Sequence, residues 1–320
     1  MALYVVTGGA GFIGSHLATA LVERGDRVRV LDDLSSGGRH NLAHLEVGGP
    51  GAGTDVELVE GSITDEPAVR QVLRGAAGVF HEAAQVSVPA SLRDPRGSYD
   101  VNVMGTLQVL EGCRQEGVRR VVFAASSAAY GNDPELPKLE TMAVRPLSPY
   151  ASGKLAGEAL LAVWGRAFDL ATVALRYFNV YGPRQADNSP YSGVIALFAR
   201  SLLQGKTPTI FGDGEQSRDF VHVRDVVRAN LAAMDRQLEP GTVINVGTEQ
   251  RVTINELYRL IAGLAGFRGE PRREPPRAGD VPHSQSSIAR ARALLGFEPQ
   301  VRLQDGLAET VAWYRSGLER

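Results

Sequence analysis

Cysteine is almost absent from this chain. Among 320 residues there is one, Cys113, so an internal disulfide is excluded, and no Cys/His cluster has the spacing of a metal site; both features fit a reducing cytoplasm. Long apolar runs are missing as well. Nothing approaches the ~18 consecutive residues of a membrane span, and the stretch from Met1 to Thr7 has no basic flank, so it reads as a strand and not as a signal peptide. Nor is there a surplus of either charge. With 34 basic and 36 acidic side chains, and a formal net charge of -2, the chain offers no electrostatic footprint for nucleic acid or an anionic membrane. Lysine is scarce: only Lys138, Lys154 and Lys206 occur. Arg is the default cation here, so each Lys is worth examining for a task Arg performs badly.

What is present fits a folded enzyme-sized chain. Apolar residues make up 43% and charged residues 22%, ample for a core, and the length exceeds what one hydrophobic core usually fills, so one large domain or two unequal ones are expected. Short apolar runs at Leu3 to Val6, Arg27 to Leu31, Val56 to Glu60, Gly78 to His81 and Val118 to Ala124 read as strands. Helical periodicity separates them, as in Ser15 to Arg24, Pro67 to Leu73 and Asn102 to Gln115. Strands joined by helices of this length imply parallel βαβ units, and hence a doubly wound parallel α/β sheet. Beyond about residue 180 the texture shifts to Pro-, Gly- and polar-rich segments, with a capping box at Thr253 to Glu256 that predicts a helix start. The expected division is residues 1–180 for the sheet and 181–320 mainly for a smaller lobe, some segments of which return to the first part. Eleven of the 36 glycines fall in the first 53 residues; those from Gly48 to Gly53 read as a flexible insertion.

Three motifs carry chemistry. Gly8, Gly11 and Gly14 lie between the first strand and the first helix, where backbone amides and the positive helix end can meet a pyrophosphate. Asp32 ends the second strand, placed to accept hydrogen bonds from ribose hydroxyls and to repel a 2′-phosphate; together these features predict NAD. Tyr150 and Lys154, four apart, share a face if their segment is helical, so the ammonium is expected to favour the Tyr150 phenolate and lower its pKa. Ser126 and Ser127 end a strand at the carboxyl edge of the sheet, where such folds bind ligands.

With these residues in view the chain resembles the extended short-chain dehydrogenase/reductases, and within them the UDP-galactose 4-epimerase family. The resemblance runs from the glycine motif at 7–14 through His81 to Ala84, Asn102 to Thr106, Ser126 to Gly131, Ser148 to Lys154, Arg176 to Pro183 and Ser217 to Val223, and on to Arg277 to Asp280. It implies a Rossmann-type sheet, a smaller C-terminal α/β substrate-binding lobe, NAD as cofactor, a UDP-sugar as substrate and a homodimer built from the helices at 102–115 and 149–168. By that resemblance Tyr150 is the base at the sugar 4-hydroxyl, Lys154 holds the nicotinamide ribose, and Ser126, or Ser127 in a shifted register, contacts the same hydroxyl. Gly8, Gly11, Phe12, Ile13, Asp32, Ser62, Ile63, Ala83, Ala84, Gln85, Asn102 and Tyr177 match cofactor positions, although Ser62 stands where many relatives have Asp. Asn179 and Arg218 match diphosphate ligands, Arg277 and Asp280 a phosphate and ribose pair, and Ser87, Val194, Thr209 and Ser284 other substrate positions.

The implied reaction is NAD-dependent 4-epimerisation of UDP-hexoses through a transient 4-keto sugar. Ser284 stands where strict UDP-glucose/UDP-galactose enzymes carry a bulky Tyr, so the resemblance extends to epimerases that also accept UDP-N-acetylglucosamine and UDP-N-acetylgalactosamine. Two alternatives remain at this point: a UDP-uronic acid epimerase or decarboxylase, for which Arg184 is the candidate grip on a C6 carboxylate, and a non-catalytic module that binds NAD or nucleotide sugars.

Overall fold

The computed structural model describes residues 1–186, 193–276 and 281–318. In its first half the strands are β1 (Leu3–Thr7), β2 (Arg27–Asp32), β3 (Val47–Gly48), β4 (Val56–Glu60), β5 (Gly78–His81), β6 (Arg120–Ser126) and β7 (Ala171–Tyr177). There follow β8 (Asn179–Tyr181), β9 (Thr209–Phe211), β10 (Ser217–Arg218), β11 (Phe220–His222), β12 (Thr242–Val246), β13 (Val252–Thr253) and β14 (Arg272–Glu274). The helices are α1 (Phe12–Glu23), α2 (Glu66–Leu73), α3 (Val88–Arg93), α4 (Pro95–Tyr99), α5 (Thr106–Glu116) and α6 (Pro149–Phe168). Later come α7 (Val194–Leu203), α8 (Val223–Asp235), α9 (Ile254–Ala265), α10 (Ala289–Leu295) and α11 (Leu303–Leu318).

Eight strands form one sheet in the order β3-β4-β2-β1-β5-β6-β7-β12, and every pairing in it is parallel. The sheet is buried on both faces because successive side chains serve opposite cores. Val6, Val28 and Val30 join Leu17 and Leu21 of α1 and Val226 of α8 on one side, while Val5, Leu31 and Val79 join Val69 of α2, Leu110 and Cys113 of α5 and Leu161 of α6 on the other. Each such fully buried aliphatic contributes about 1.5–3 kcal/mol. The lone Cys113 is part of this packing. A third core gathers Ile195 and Phe198 of α7, Leu257 and Ile261 of α9 and Leu307 and Val311 of α11. Strand β12 and helix α8, although beyond residue 180, belong to the large sheet and its cover.

Three local readings change. The run at 102–115 is not one helix: a π-helical turn, Asp100–Gly105, precedes α5, and within it the Asn102 side chain bonds to Gln85, outside the segment. Strand β6 starts two residues later than the apolar run suggests, because Gly117 turns left-handed (φ 74°) and the Val118 amide closes the helix end on Cys113 O at 2.9 Å. The glycine-rich segment after residue 47 is anchored rather than free, since Val47 and Gly48 pair with β4 and the Gly51 amide reaches the Glu57 carboxylate. Among the described residues no helix is long and apolar enough to cross a membrane, and no group of His, Cys, Asp and Glu is placed to hold a metal ion.

Candidate active site

The strand order reverses on either side of β1, so the carboxyl ends of β1 and β5 open the crevice in which folds of this kind bind ligands. The glycine loop fills that edge. Gly8 adopts φ 69°, and a Cβ there would stand 2.7 Å from the Ala83 amide nitrogen. No side chain caps α1 at Gly11 and no acidic residue occupies its first turn, so the amide end with Phe12 and Ile13 suits an anionic diphosphate. Asp32 is buried and accepts from the Ala10 amide at 2.9 Å and the Leu34 amide at 2.8 Å. Burial raises its pKa against those bonds. Arg39, the guanidinium on the following segment, is paired with Glu60 at 2.8 Å. These residues fit an adenosine ribose with free hydroxyls and disfavour a 2′-phosphate.

A hydrogen-bonded ladder ties this edge to the turn at 100–105. Thr106 donates to Asn102 O at 2.8 Å, so it accepts from His81 Nε2, and His81 Nδ1 in turn accepts from the Thr7 hydroxyl at 2.8 Å. His81 is thereby a neutral ring, its pKa pushed down to about 3 chiefly by burial. Asn102 accepts from the Gln85 amide at 2.9 Å and donates to Gln85 O at 3.0 Å. It acts as a clamp that shapes the wall of Ala83, Ala84 and Gln85. Ser62 spends its hydroxyl on Thr64 at 2.9 Å, and Ile63 is buried beneath Gly105.

Helix α6 delivers Tyr150 and Lys154. Ser148 caps it by accepting from the Ala151 amide at 3.2 Å, and Pro149 occupies the first turn where no amide is needed. The Ser126 hydroxyl at the end of β6 reaches the Tyr150 phenol and favours its ionised form; Ser127 opens the 3-10 turn Ser127–Tyr130 instead. Lys154 is 3% exposed, donates to Ala124 O at 2.7 Å and lies 4.9 Å from the centre of the Phe123 ring. The structure corrects the expected pKa of Tyr150. It is raised, because burial outweighs the Ser126 contact and the Glu82 carboxylate adds to it, while the Lys154 ammonium is drawn to Ala124 and to Glu82.

Glu82 went unnoticed in the sequence, although an acid between a buried strand and two alanines was a visible signal. Its carboxylate accepts from Tyr177 OH at 2.8 Å, and Tyr177 OH accepts from Asn230 of α8 at 2.7 Å.

The substrate-side residues gather around β8, β10 and the segment after Val281. Asn179 donates to Asp219 O at 3.2 Å, and Arg218 reaches Ser217 O and Pro282 O at 3.0 and 3.3 Å. The Ser284 amide bonds Ser217 O at 3.0 Å, and Asp219, also missed, holds Ser286 and Thr248 through its carboxylate. Thr209 opens β9 and Val194 opens α7, and Ser87 caps α3 by accepting from the Ala90 amide at 3.2 Å. A cavity of about 510 Å³ lined by Phe211, Asp213, Gln216 and Pro282 adjoins this group. Arg277 and Asp280 lie outside the described residues. Arg184 is directed at Thr19 and His44, both at 3.2 Å, and so toward α1.

Comparison with known proteins bears on the family and the fold. The family model "NAD dependent epimerase/dehydratase family" matches residues 4–247. A UDP-glucose 4-epimerase of Mycolicibacterium smegmatis is 42% identical over 98% of both chains. The crystal structure of a UDP-glucose 4-epimerase from Thermotoga maritima with UDP-glucose superposes with a TM-score of 0.92, at 40% identity over 99% of each chain. So does a UDP-N-acetylglucosamine 4-epimerase from Methanobrevibacter ruminantium in complex with UDP-N-acetylmuramic acid, with a TM-score of 0.92 at 36% identity over 99% of each chain. The chain therefore belongs to the NAD-dependent epimerase/dehydratase family, with a Rossmann-type sheet and NAD as its cofactor.

Proposed function

We propose that this chain is a 4-epimerase of UDP-hexoses, interconverting UDP-glucose and UDP-galactose and also UDP-N-acetylglucosamine and UDP-N-acetylgalactosamine. The observation that carries the reading is the convergence of Ser126, Tyr150 and Lys154 at the sheet edge beside the glycine loop. NAD, when bound, accepts the C4 hydrogen with its electron pair and returns it. Tyr150, reacting as its phenolate, takes the 4-hydroxyl proton as the C4 hydrogen leaves, giving a 4-keto sugar, and hands that proton back when the other face is reduced. Ser126 holds that hydroxyl, Lys154 holds the nicotinamide ribose, and Asn179 and Arg218 hold the diphosphate while the sugar turns. Fixing the reacting groups together supplies most of the acceleration.

Two further observations support the details. Lys138, in the loop after β6, pairs with the segment carrying Ser284: its amide bonds Gln285 O at 2.8 Å and its carbonyl accepts from the Ser287 amide at 2.9 Å. A small residue on that shared wall favours a substrate with a bulky C2 group. Arg184, spent on α1, is a poor grip for a uronate. We also propose a homodimer through α5 and α6 and their neighbours, where Leu92, Tyr99, Met104, Val163 and Phe168 are exposed apolar residues. Incubating the protein with UDP-galactose and with UDP-N-acetylgalactosamine and resolving C4 epimers by NMR tests the function. No epimer from either, with NAD bound, refutes it.

A further inference from the structure

Asp219 takes no part in the reaction just described, yet it lies where the substrate side of the molecule meets the sheet. It stands between β10, which carries Arg218, and β11, and it is fully buried. Its carboxylate is saturated with donors. Oδ1 accepts from the amide and hydroxyl of Thr248 at 2.8 and 2.7 Å, and Oδ2 accepts from the Glu249 amide at 3.1 Å and from the amide and hydroxyl of Ser286 at 3.0 and 2.6 Å. Its carbonyl accepts the amide and the side chain of Asn179 at 3.0 and 3.2 Å. Among the described residues no cation pairs with it, so N–H and O–H groups fixed by the fold hold the charge. The fit has no slack: a Cβ on Gly247 would stand 2.4 Å from Ser286 Oγ and 2.9 Å from Asp219 Oδ2.

The partners of Asp219 come from both sides of the crevice. Ser126, Tyr177 and Val246 are register partners across β6, β7 and β12, and Asn179 and Thr248 lie just beyond the last two of them, at the carboxyl edge of the sheet. Ser286 lies just beyond Ser284, on the segment that Ser217 holds at Ser284 and Lys138 holds at Gln285. We propose that Asp219 is a positioning residue: it seats the strand carrying Arg218 and the segment carrying Ser284 on the ends of β7 and β12, and so sets where a UDP-sugar stands relative to Tyr150. Main-chain bonds from Ser217 to Pro282 and Ser284 keep Arg218 beside Ser284 without help from the carboxylate. What the carboxylate adds is the tie to Thr248 and Glu249, and hence to the sheet. Its loss should leave each binding surface intact and shift one against the other. Such a shift harms the alignment of reacting groups more than it harms either binding step. The proposal rests on the epimerase reading for the substrate and for the role of Tyr150.

Asp219→Asn replaces one carboxylate oxygen by an N–H donor, which in either orientation faces main-chain amides: Thr248 on one side, Glu249 and Ser286 on the other. Ser286→Ala is the milder variant, removing one hydroxyl donor and leaving the charge. Each is compared with the unaltered chain by amide hydrogen exchange, by affinity for UDP and for NAD, and by steady-state rates on UDP-galactose. Exchange should quicken at Thr248 to Glu249 and at Ser284 to Ile288, and stay as it was in the glycine loop. Affinities for UDP and NAD should stay near those of the unaltered chain. In Asp219→Asn kcat should fall roughly tenfold to a hundredfold, the order expected when reacting groups are displaced by about 1 Å, with KM little changed. Ser286→Ala should show the same pattern on a smaller scale, and it carries the test if Asp219→Asn does not fold. Unchanged exchange, a raised KM with kcat preserved, or parallel losses in UDP affinity, NAD affinity and rate would each overturn the proposal. Exchange and affinity need no turnover. An unaltered chain that makes no epimer therefore refutes the epimerase reading, while those two measurements still decide whether Asp219 seats one surface on the other.

Discussion

Helix α6 must hold Tyr150 and Lys154 in register with the end of β7, and a buried ion pair one turn beyond Lys154 performs that task. Glu158 of α6 and Arg176 of β7 meet in a two-pronged arrangement, Nε to Oε1 at 2.8 Å and Nη2 to Oε2 at 2.7 Å, with the residues 8% and 4% exposed. The guanidinium also lies 4.8 Å from the centre of the Tyr130 ring. Water cannot replace a lost partner at this depth. Glu158→Gln leaves Arg176 charged and half-paired, and removing one partner of a buried pair costs about 3–5 kcal/mol. Because Gln keeps one acceptor, the expected loss is near the lower figure, about 3 kcal/mol, or more than a hundredfold in the folding equilibrium. Arg176→Met strands the carboxylate and should cost a similar amount. The double variant Glu158→Gln/Arg176→Met removes both charges, so it should be damaged less than the singles combined, by about 2 kcal/mol or more. Equilibrium unfolding in guanidinium chloride of the singles, the double and the unaltered chain measures this coupling directly. Effects that add to within about 0.5 kcal/mol would show that the pair is not an energetic unit and would remove the argument that it fixes the register of α6.

Other expectations are sharper in kind than in size. Ser284→Tyr should reduce turnover of UDP-N-acetylglucosamine by tenfold or more, the order expected of overpacking by about 1–3 kcal/mol, while sparing UDP-galactose; equal losses in steady-state rates on the two substrates would remove Ser284 from the wall of the sugar site. Asp32→Ser should weaken NAD by roughly tenfold to a hundredfold, the loss of hydrogen bonds to a charged acceptor, and bring NADP affinity closer to that for NAD. An unchanged preference in fluorescence titrations would show that Asp32 does not read the ribose. His81 has a pKa near 3 in the fold and 6.5 when free. Between those values the unfolded chain binds the extra proton, so stability falls as pH drops below about 6.5, by up to about 1.4 kcal/mol per pH unit from this residue. His81→Gln should flatten that slope in thermal unfolding measured across the window, and an unaltered slope would mean that His81 is not held neutral.

The parts of the site legible in the sequence are those whose chemistry is local. Gly8, Gly11 and Gly14 announce a tight turn into a helix because a Cβ at Gly8 collides with Ala83, and Tyr150 and Lys154 share a face because helical periodicity places them there. The capping box at Thr253 and Glu256 is closed in both directions for the same reason. What was hidden depends on contacts between distant segments. Phenol and ammonium four residues apart suggest mutual stabilisation, yet Lys154 donates to Ala124 on β6, thirty positions away, and the Glu82 carboxylate just after β5 favours its charge. Burial then dominates Tyr150, and no sequence window reports burial by other strands. Asn102 looks like a cofactor contact from its motif, but its amide is consumed by Gln85 across seventeen positions. Glu82 shows the limit most plainly. Its place after an apolar strand marks it as a sheet-edge residue, but its meaning comes from Tyr177, ninety-five positions later, and from Asn230, fifty-three beyond that. A motif can therefore identify the candidate reacting groups of such a site, while the burial and the contacts that surround them come from residues that only the assembled sheet brings together.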